Sequence, residues 1–95
     1  MPSAVRLGDS TTSHGCFAPT TLASASSNVI INSIGAVKVG DSIVPHCCPG
    51  SGCHGGIQAN GSPNVFTNGA AQARVGDSIS CGDNNAVGSP NVIVN

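Results

Sequence analysis

Apolar residues along this chain come in short runs broken by polar ones. In Ala4-Val5-Arg6-Leu7 and Ala36-Val37-Lys38-Val39 the side chains alternate apolar with charged. That is the two-residue period of a half-buried strand. Gly-Asp-Ser follows each stretch and marks a turn. Asn28-Val29-Ile30-Ile31-Asn32 is a β-branched run bounded by turn formers and reads as a second kind of strand. No longer window carries a 3.6-residue period, and the stretch from Ala18 to Ser27 has room for one helical turn at most. The pattern predicts an all-β chain of short strands and hairpins.

The pattern repeats, which changes how it is read. Ala4-Val5-Arg6-Leu7-Gly8-Asp9-Ser10, Ala36-Val37-Lys38-Val39-Gly40-Asp41-Ser42 and Gln72-Ala73-Arg74-Val75-Gly76-Asp77-Ser78 share x-apolar-basic-apolar-Gly-Asp-Ser. The three Lys/Arg residues of the chain all stand three places before the Asp of this motif, and Asp83 is the one acid outside it. A second motif, Asn-Val-x-x-Asn, begins at Asn28, Asn64 and Asn91. The first two copies precede the next Gly-Asp-Ser aspartate by 13 residues; counted through the joined chain ends, so does the third. The chain therefore reads as residues 1–95 forming one domain of three units around a pseudo-three-fold axis. One unit is cut open, with Met1 and Asn95 expected to be neighbours. The 13-residue spacing suits two short strands around a Gly-containing turn, at Gly35 in one copy and Gly69 in the next.

Composition limits what such a domain can be. Val, Ile, Leu and Phe number 21 of 95 residues, and there is no Trp or Tyr. That is just above the roughly 20% level below which disorder is the default. A net charge of −1 supplies no basic field, which argues against nucleic acid as a partner. No apolar run nears the roughly 20 residues of a membrane span, and the first residues hold no apolar signal core. Synthesis in the cytosol is expected, and five cysteines in a reducing compartment favour metal binding over bridges. So thin a core calls for a staple, and a structural metal is one kind available.

The candidate chemistry lies between each Gly-Asp-Ser and the next Asn-Val. These segments differ in length and hold every His and every Cys. His14 and His46 stand five residues after their aspartates, and Cys81 stands four after Asp77. The longest segment adds His54. Three related loops would thus each bring one ligand to an axis, and the extra length would bring a fourth. His14, His46, His54 and Cys81 suit a closed tetrahedral site for one Zn²⁺, with iron as the alternative ion. Cys16, Cys47, Cys48 and Cys53 are further candidate ligands, with a local Cys48–Cys53 disulfide also open. A small buried role or a free thiol is the favoured reading for these four.

Asp9, Asp41 and Asp77 are expected to bond their own turns. Arg6, Lys38 and Arg74 are expected on a solvated face, or in weak ion pairs with those aspartates. Enzymatic patterns are missing: the chain has no Glu, nothing like a nucleophile elbow, and no Gly-rich phosphate loop between strand and helix. The expectation is a non-enzyme. A small zinc enzyme with an open metal position, or a thiol-based metal or redox sensor using Cys47, Cys48 and Cys53, is the alternative.

These motifs resemble the PAAR-repeat family, the tip proteins of type VI secretion spikes and of contractile phage tails. The name motif, Pro-Ala-Ala-Arg ahead of Gly-Asp, is matched most nearly by Ala70-Ala71-Gln72-Ala73-Arg74-Val75-Gly76-Asp77, which lacks the Pro. Gly-Ser-Pro-Asn-Val, Val-Gly-Asp-Ser and the His placed after Gly-Asp are also similar to the family. The resemblance implies a small cone with a metal pinned near its point, held by His14, His46, His54 and Cys81. It implies a monomeric, pointed tip whose base caps a trimeric valine-glycine-repeat spike protein or its phage homologue, one tip per trimer. Such a tip sharpens the spike for membrane puncture and helps attach effectors. It would assemble in the cytoplasm and be translocated into a target on firing, or sit in a virion baseplate.

Overall fold

An Ala-Val-basic segment is too short to make a sheet alone, so it must pair on both edges to satisfy its backbone. In the computed structural model, which describes residues 2–94, the three copies do this for one another. Arg6 bridges Ala36, Lys38 bridges Gln72, and Arg74 bridges Ala4, all antiparallel. At the centre the Val37 N–H donates to the Val5 carbonyl (3.0 Å), Ala73 N–H to Val37 (2.9 Å), and Val5 N–H to Ala73 (3.1 Å). The cycle closes, so these segments leave no free edge to recruit another chain.

Gly-Asp-Ser turns the chain the same way three times. The Asp9, Asp41 and Asp77 amides donate to the carbonyls of Arg6, Lys38 and Arg74 at 3.0–3.1 Å. Each carboxylate accepts from the backbone N–H three residues back, at 2.8 Å for Arg6, 3.0 Å for Lys38 and 2.9 Å for Arg74. Each also pairs with the basic side chain of that same residue, at 2.8–3.0 Å. Both expectations for the charged residues thus meet in one motif. The hydrogen bond to its aspartate raises the pKa of Arg6 and of Arg74.

The Asn-Val-x-x-Asn segments form hairpins. Strand β1 (Ile30–Ile31) pairs antiparallel with β2 (Ile34–Gly35), and β5 (Phe66–Thr67) with β6 (Ala70–Ala71). The third hairpin is closed by the two ends of the chain: Ser3 bridges Ile93, and the Val94 N–H donates to the Pro2 carbonyl at 2.9 Å. Met1 and Asn95, expected as neighbours, lie outside the described residues. Asn32 and Ser33 in one turn, and Asn68 and Gly69 in the other, all have positive φ (53°, 68°, 51° and 82°). Two successive positive φ values are the requirement of a two-residue hairpin turn that follows strand twist. The expected turn at Gly69 is present, but the one at Gly35 is not. Gly35 lies in β2, where a Cβ would stand 2.7 Å from the Ser26 carbonyl oxygen. That residue serves a close approach of two backbones.

Side chains stack along the axis in two clusters. Ala4, Ile31, Ala36 and Val94 fill the end nearest the hairpins. Val5, Leu22, Val37, Ile43, Ala73 and Ile79 fill the next layers, with Cys81 packed against them. One unit departs at the lower layer: Gln72 stands where the others have Ala4 and Ala36, and Thr67 where they have Ile31 and Val94. The two polar residues offset one another, since Thr67 Oγ1 donates to Gln72 Oε1 at 2.5 Å. The remaining strands are β3 (His46–Cys48) and β4 (Gly52–His54), paired antiparallel in the longest loop. No helix occurs among the described residues.

Candidate metal centre

The three unequal loops converge beyond the second cluster. His14 comes from a tight reversal in which His14 and Phe17 exchange backbone hydrogen bonds around Gly15 and Cys16. His46 and His54 are direct cross-strand partners at the open end of the β3–β4 hairpin. Cys81 sits in a turn closed by the Gly82 N–H on the Ile79 carbonyl (3.0 Å). Gly56 makes room for that thiol, because a Cβ there would stand 3.2 Å from Cys81 Sγ. One ligand-type atom from each of His14, His46, His54 and Cys81 lies within 4.8 Å of all the others. The three residues singled out by loop register, and His54 from the longest loop, are thus brought to one place.

Their hydrogen bonds leave electron pairs aimed at that place. His46 Nδ1 lies 2.7 Å from the Ala18 carbonyl oxygen. A carbonyl only accepts, so Nδ1 carries the proton and Nε2 of the neutral ring is a free donor atom. His14 Nδ1 is hydrogen-bonded to Asp83 Oδ1, which leaves its Nε2 in the same state. His46 Nε2 faces His54 Nε2 at 2.9 Å and lies 3.9 Å from Cys81 Sγ. Desolvation, and then the nearby His46 and His14, push the pKa of His54 down, which favours a neutral imidazole. Three imidazole nitrogens and one cysteine sulfur make a donor set that fits a borderline-soft ion such as Zn²⁺.

Asp83 is the residue that the repeat analysis left without a role. It is fully buried and receives the Thr11 hydroxyl on Oδ2 at 2.5 Å while Oδ1 holds His14. A carboxylate that fixes the tautomer and tilt of a ligand-type histidine is a recurrent outer-shell device. The signal was visible, since Asp83 is the one acid outside the Gly-Asp-Ser register. Phe17 had no such signal. Its ring lies 5.0 Å from that of His14, 4.1 Å from His54 and 5.2 Å from His46, so it packs against all three imidazoles.

The other four cysteines correct the sequence reading. They are neither free thiols nor lone buried side chains, and Cys48 does not bond Cys53. Cys16 pairs with Cys48 and Cys47 with Cys53, while Cys81 remains free. The physical reason is register: Cys47 and Cys53 face each other across β3 and β4, whereas Cys48 faces Gly52. Side chains alternate along a strand, so Cys48 points away from Cys47 toward the loop that carries Cys16.

A family model described as PAAR motif matches residues 7–87 of the chain. No curated protein matches it. No helix among the described residues is long and apolar enough to cross a membrane. The match covers most of the chain, and the all-β architecture and the His/Cys cluster that can hold a metal agree with it. The chain therefore belongs to the PAAR-motif family, the structural spike-tip proteins associated with the valine-glycine-repeat spike of type VI secretion.

Proposed function

We propose that residues 1–95 form one three-unit domain that caps a trimeric β-helical spike, one monomer per trimer, and does no chemistry itself. The observation that carries this reading is a ring of exposed apolar side chains at equivalent places on the three hairpins. Ile30 is 54% exposed, Phe66 62% and Ile93 47%, although each is the first x of Asn-Val-x-x-Asn. The second x of each copy, Ile31, Thr67 and Val94, is buried. A lone exposed isoleucine needs no explanation, but three related by the pseudo-axis match a partner with true three-fold symmetry. A trimeric prism of strands ends in three unpaired edges, and one monomer with three hairpins can cover them together.

At the other end, His14, His46, His54 and Cys81 would hold one Zn²⁺, with iron as the alternative ion. The bound ion would supply cross-linking of three loops; this chain's own residues orient the imidazoles that would hold it, Asp83 for His14 and the Ala18 carbonyl for His46. Such a pinned point sharpens the spike for puncture and offers a place to carry effectors. The protein would assemble in the cytoplasm and pass into a target on firing, or be part of a virion baseplate. Mixing with a trimeric spike and measuring mass by light scattering tests the docking. A complex of one monomer with three spike chains is expected, lost on Ile30→Glu/Phe66→Glu/Ile93→Glu. Separate elution of the unaltered proteins would overturn it.

A further inference from the structure

Four of the five cysteines surround the ligand cluster, yet none of those four belongs to it. The Cys47–Cys53 bond spans β3 and β4 at the pair next to His46 and His54. The Cys16–Cys48 bond ties the reversal carrying His14 to the strand carrying His46. All three imidazoles therefore ride on segments cross-linked to one another. Besides these bonds, Asp83 holds His14, the Ala18 carbonyl holds His46, and the Phe17 ring packs on all three imidazoles. A two-stranded hairpin is marginal alone. In β3 and β4, Cys47, Gly52 and Cys53 are exposed and His54 is half-buried, while His46 and Cys48 are buried.

We propose that the two disulfides are a redox-sensitive clamp on the metal centre. When both are formed, they hold His14, His46 and His54 in place for the ion. When a thiol or phosphine reductant cleaves them, each S–S bond takes up two electrons and two protons to give two thiols. A thiol reductant ends as its disulfide; a phosphine ends as its oxide, with one water supplying the oxygen and the two protons. The loops then loosen and the ion leaves faster. The cost of gathering ligands is met in advance by the cross-links, which is preorganisation. The Cys16–Cys48 bond spans 32 residues and the Cys47–Cys53 bond six. The longer closure restricts the open chain more, so it contributes the larger share. Where reduction also weakens the equilibrium affinity for the ion, linkage makes that effect mutual: bound metal must shift the disulfide equilibrium toward the oxidised form by the same factor. The clamp rests on the metal reading of the cluster and not on the docking.

The test uses the whole chain loaded with Zn²⁺, oxidised or reduced with a phosphine. The readout is the rate of zinc transfer to a chromogenic chelator. Release about tenfold faster from the reduced protein is expected, within the usual range of coupling between sites. In a glutathione redox buffer, thiol trapping should show that saturating Zn²⁺ shifts the midpoint toward the disulfide form. Cys16→Ser/Cys48→Ser should release zinc nearly as fast as reduced protein, and Cys47→Ser/Cys53→Ser at an intermediate rate. Equal or slower release from the reduced protein, or an unmoved midpoint, would overturn the clamp while leaving the metal site standing. No zinc in either state would overturn both.

Discussion

The hairpin end and the loop end of this molecule are held by different forces. Around the hairpins most bonds recur from unit to unit. Ser26, Ser62 and Ser89 each accept an N–H from the valine three residues on, at 2.9, 3.0 and 2.9 Å. Asparagines then tie one unit to the next: Asn32 Nδ2 donates to Asn91 Oδ1 and Asn68 Nδ2 to Asn28 Oδ1, both at 2.9 Å. These bonds join backbone groups and neutral side chains, with one guanidinium contact from Arg6 to Asn32 at 3.3 Å. At the loop end the repetition stops at the loop bases, where the Thr12, Val44 and Ser80 N–H groups donate to the carbonyls of Asn84, Thr21 and Ile57 at 2.7–2.9 Å, and the side-chain bonds beyond them do not recur. Three loops of unequal length meet through imidazoles, one buried carboxylate and two disulfides. Backbone repetition builds a frame whose stability is distributed, whereas side-chain chemistry builds a point whose stability is concentrated in a few groups.

The sharpest way to break this contrast is from the axis. Val37 is fully buried at the central ring, and Val37→Asp places an unpaired carboxylate among apolar neighbours. A cost of several kcal/mol is expected, enough to abolish cooperative melting and all amide protection. Chelation, or His54→Ala, should act at one end only. It should lower stability by about 3 kcal/mol, the worth of a ligand at a few hundred times its Kd. Amides of residues 46–54 should then exchange quickly while those of Val5, Val37 and Ala73 stay protected. Lys38→Met, which removes one partly exposed ion pair, should cost only ~0–1 kcal/mol. Equal melting temperatures for His54→Ala and Lys38→Met would erase the distinction.

Asp83→Asn sharpens it further. Loss of the carboxylate behind His14 should weaken zinc binding roughly tenfold in chelator competition, with the frame amides unchanged. The smallest effect concerns pH. The pKa of His54 is lowered in the folded chain by desolvation and by His46 and His14. The unfolded chain therefore binds this proton more readily. Metal-free stability should be unaffected above the ordinary histidine value of about 6.5, and fall as pH drops below it toward the folded value. Urea midpoints at pH 8 and pH 5 measure this, and His54→Gln should remove part of the slope.

Much of the frame was legible before any coordinate. Gly-Asp-Ser and Asn-Val-x-x-Asn marked turns and hairpins because backbone geometry at a turn demands particular residues. Loop register picked out His14, His46 and Cys81, because equivalent positions in a repeat converge on its axis, and the extra length of one loop added His54. The turn at Asn32-Ser33 was less legible, since Gly35 nearby is a stronger turn signal than Ser33. Only the approach of Ser26 showed what Gly35 is for. Cysteine pairing and the partners of Asp83 were not legible at all.

Repetition, charge register and turn chemistry are local or periodic properties, so the amino-acid order alone determined the three-fold plan and the loops that bear the chemistry. Which thiol meets which, which carboxylate backs which imidazole, and which of two neighbouring isoleucines faces water were decided by tertiary structure. The isoleucines and the cross-strand thiols depend on the side of a strand two or three residues long, and the carboxylate on contacts between loops far apart in sequence. A shift of one residue in register would reverse the isoleucines and part the cross-strand thiols.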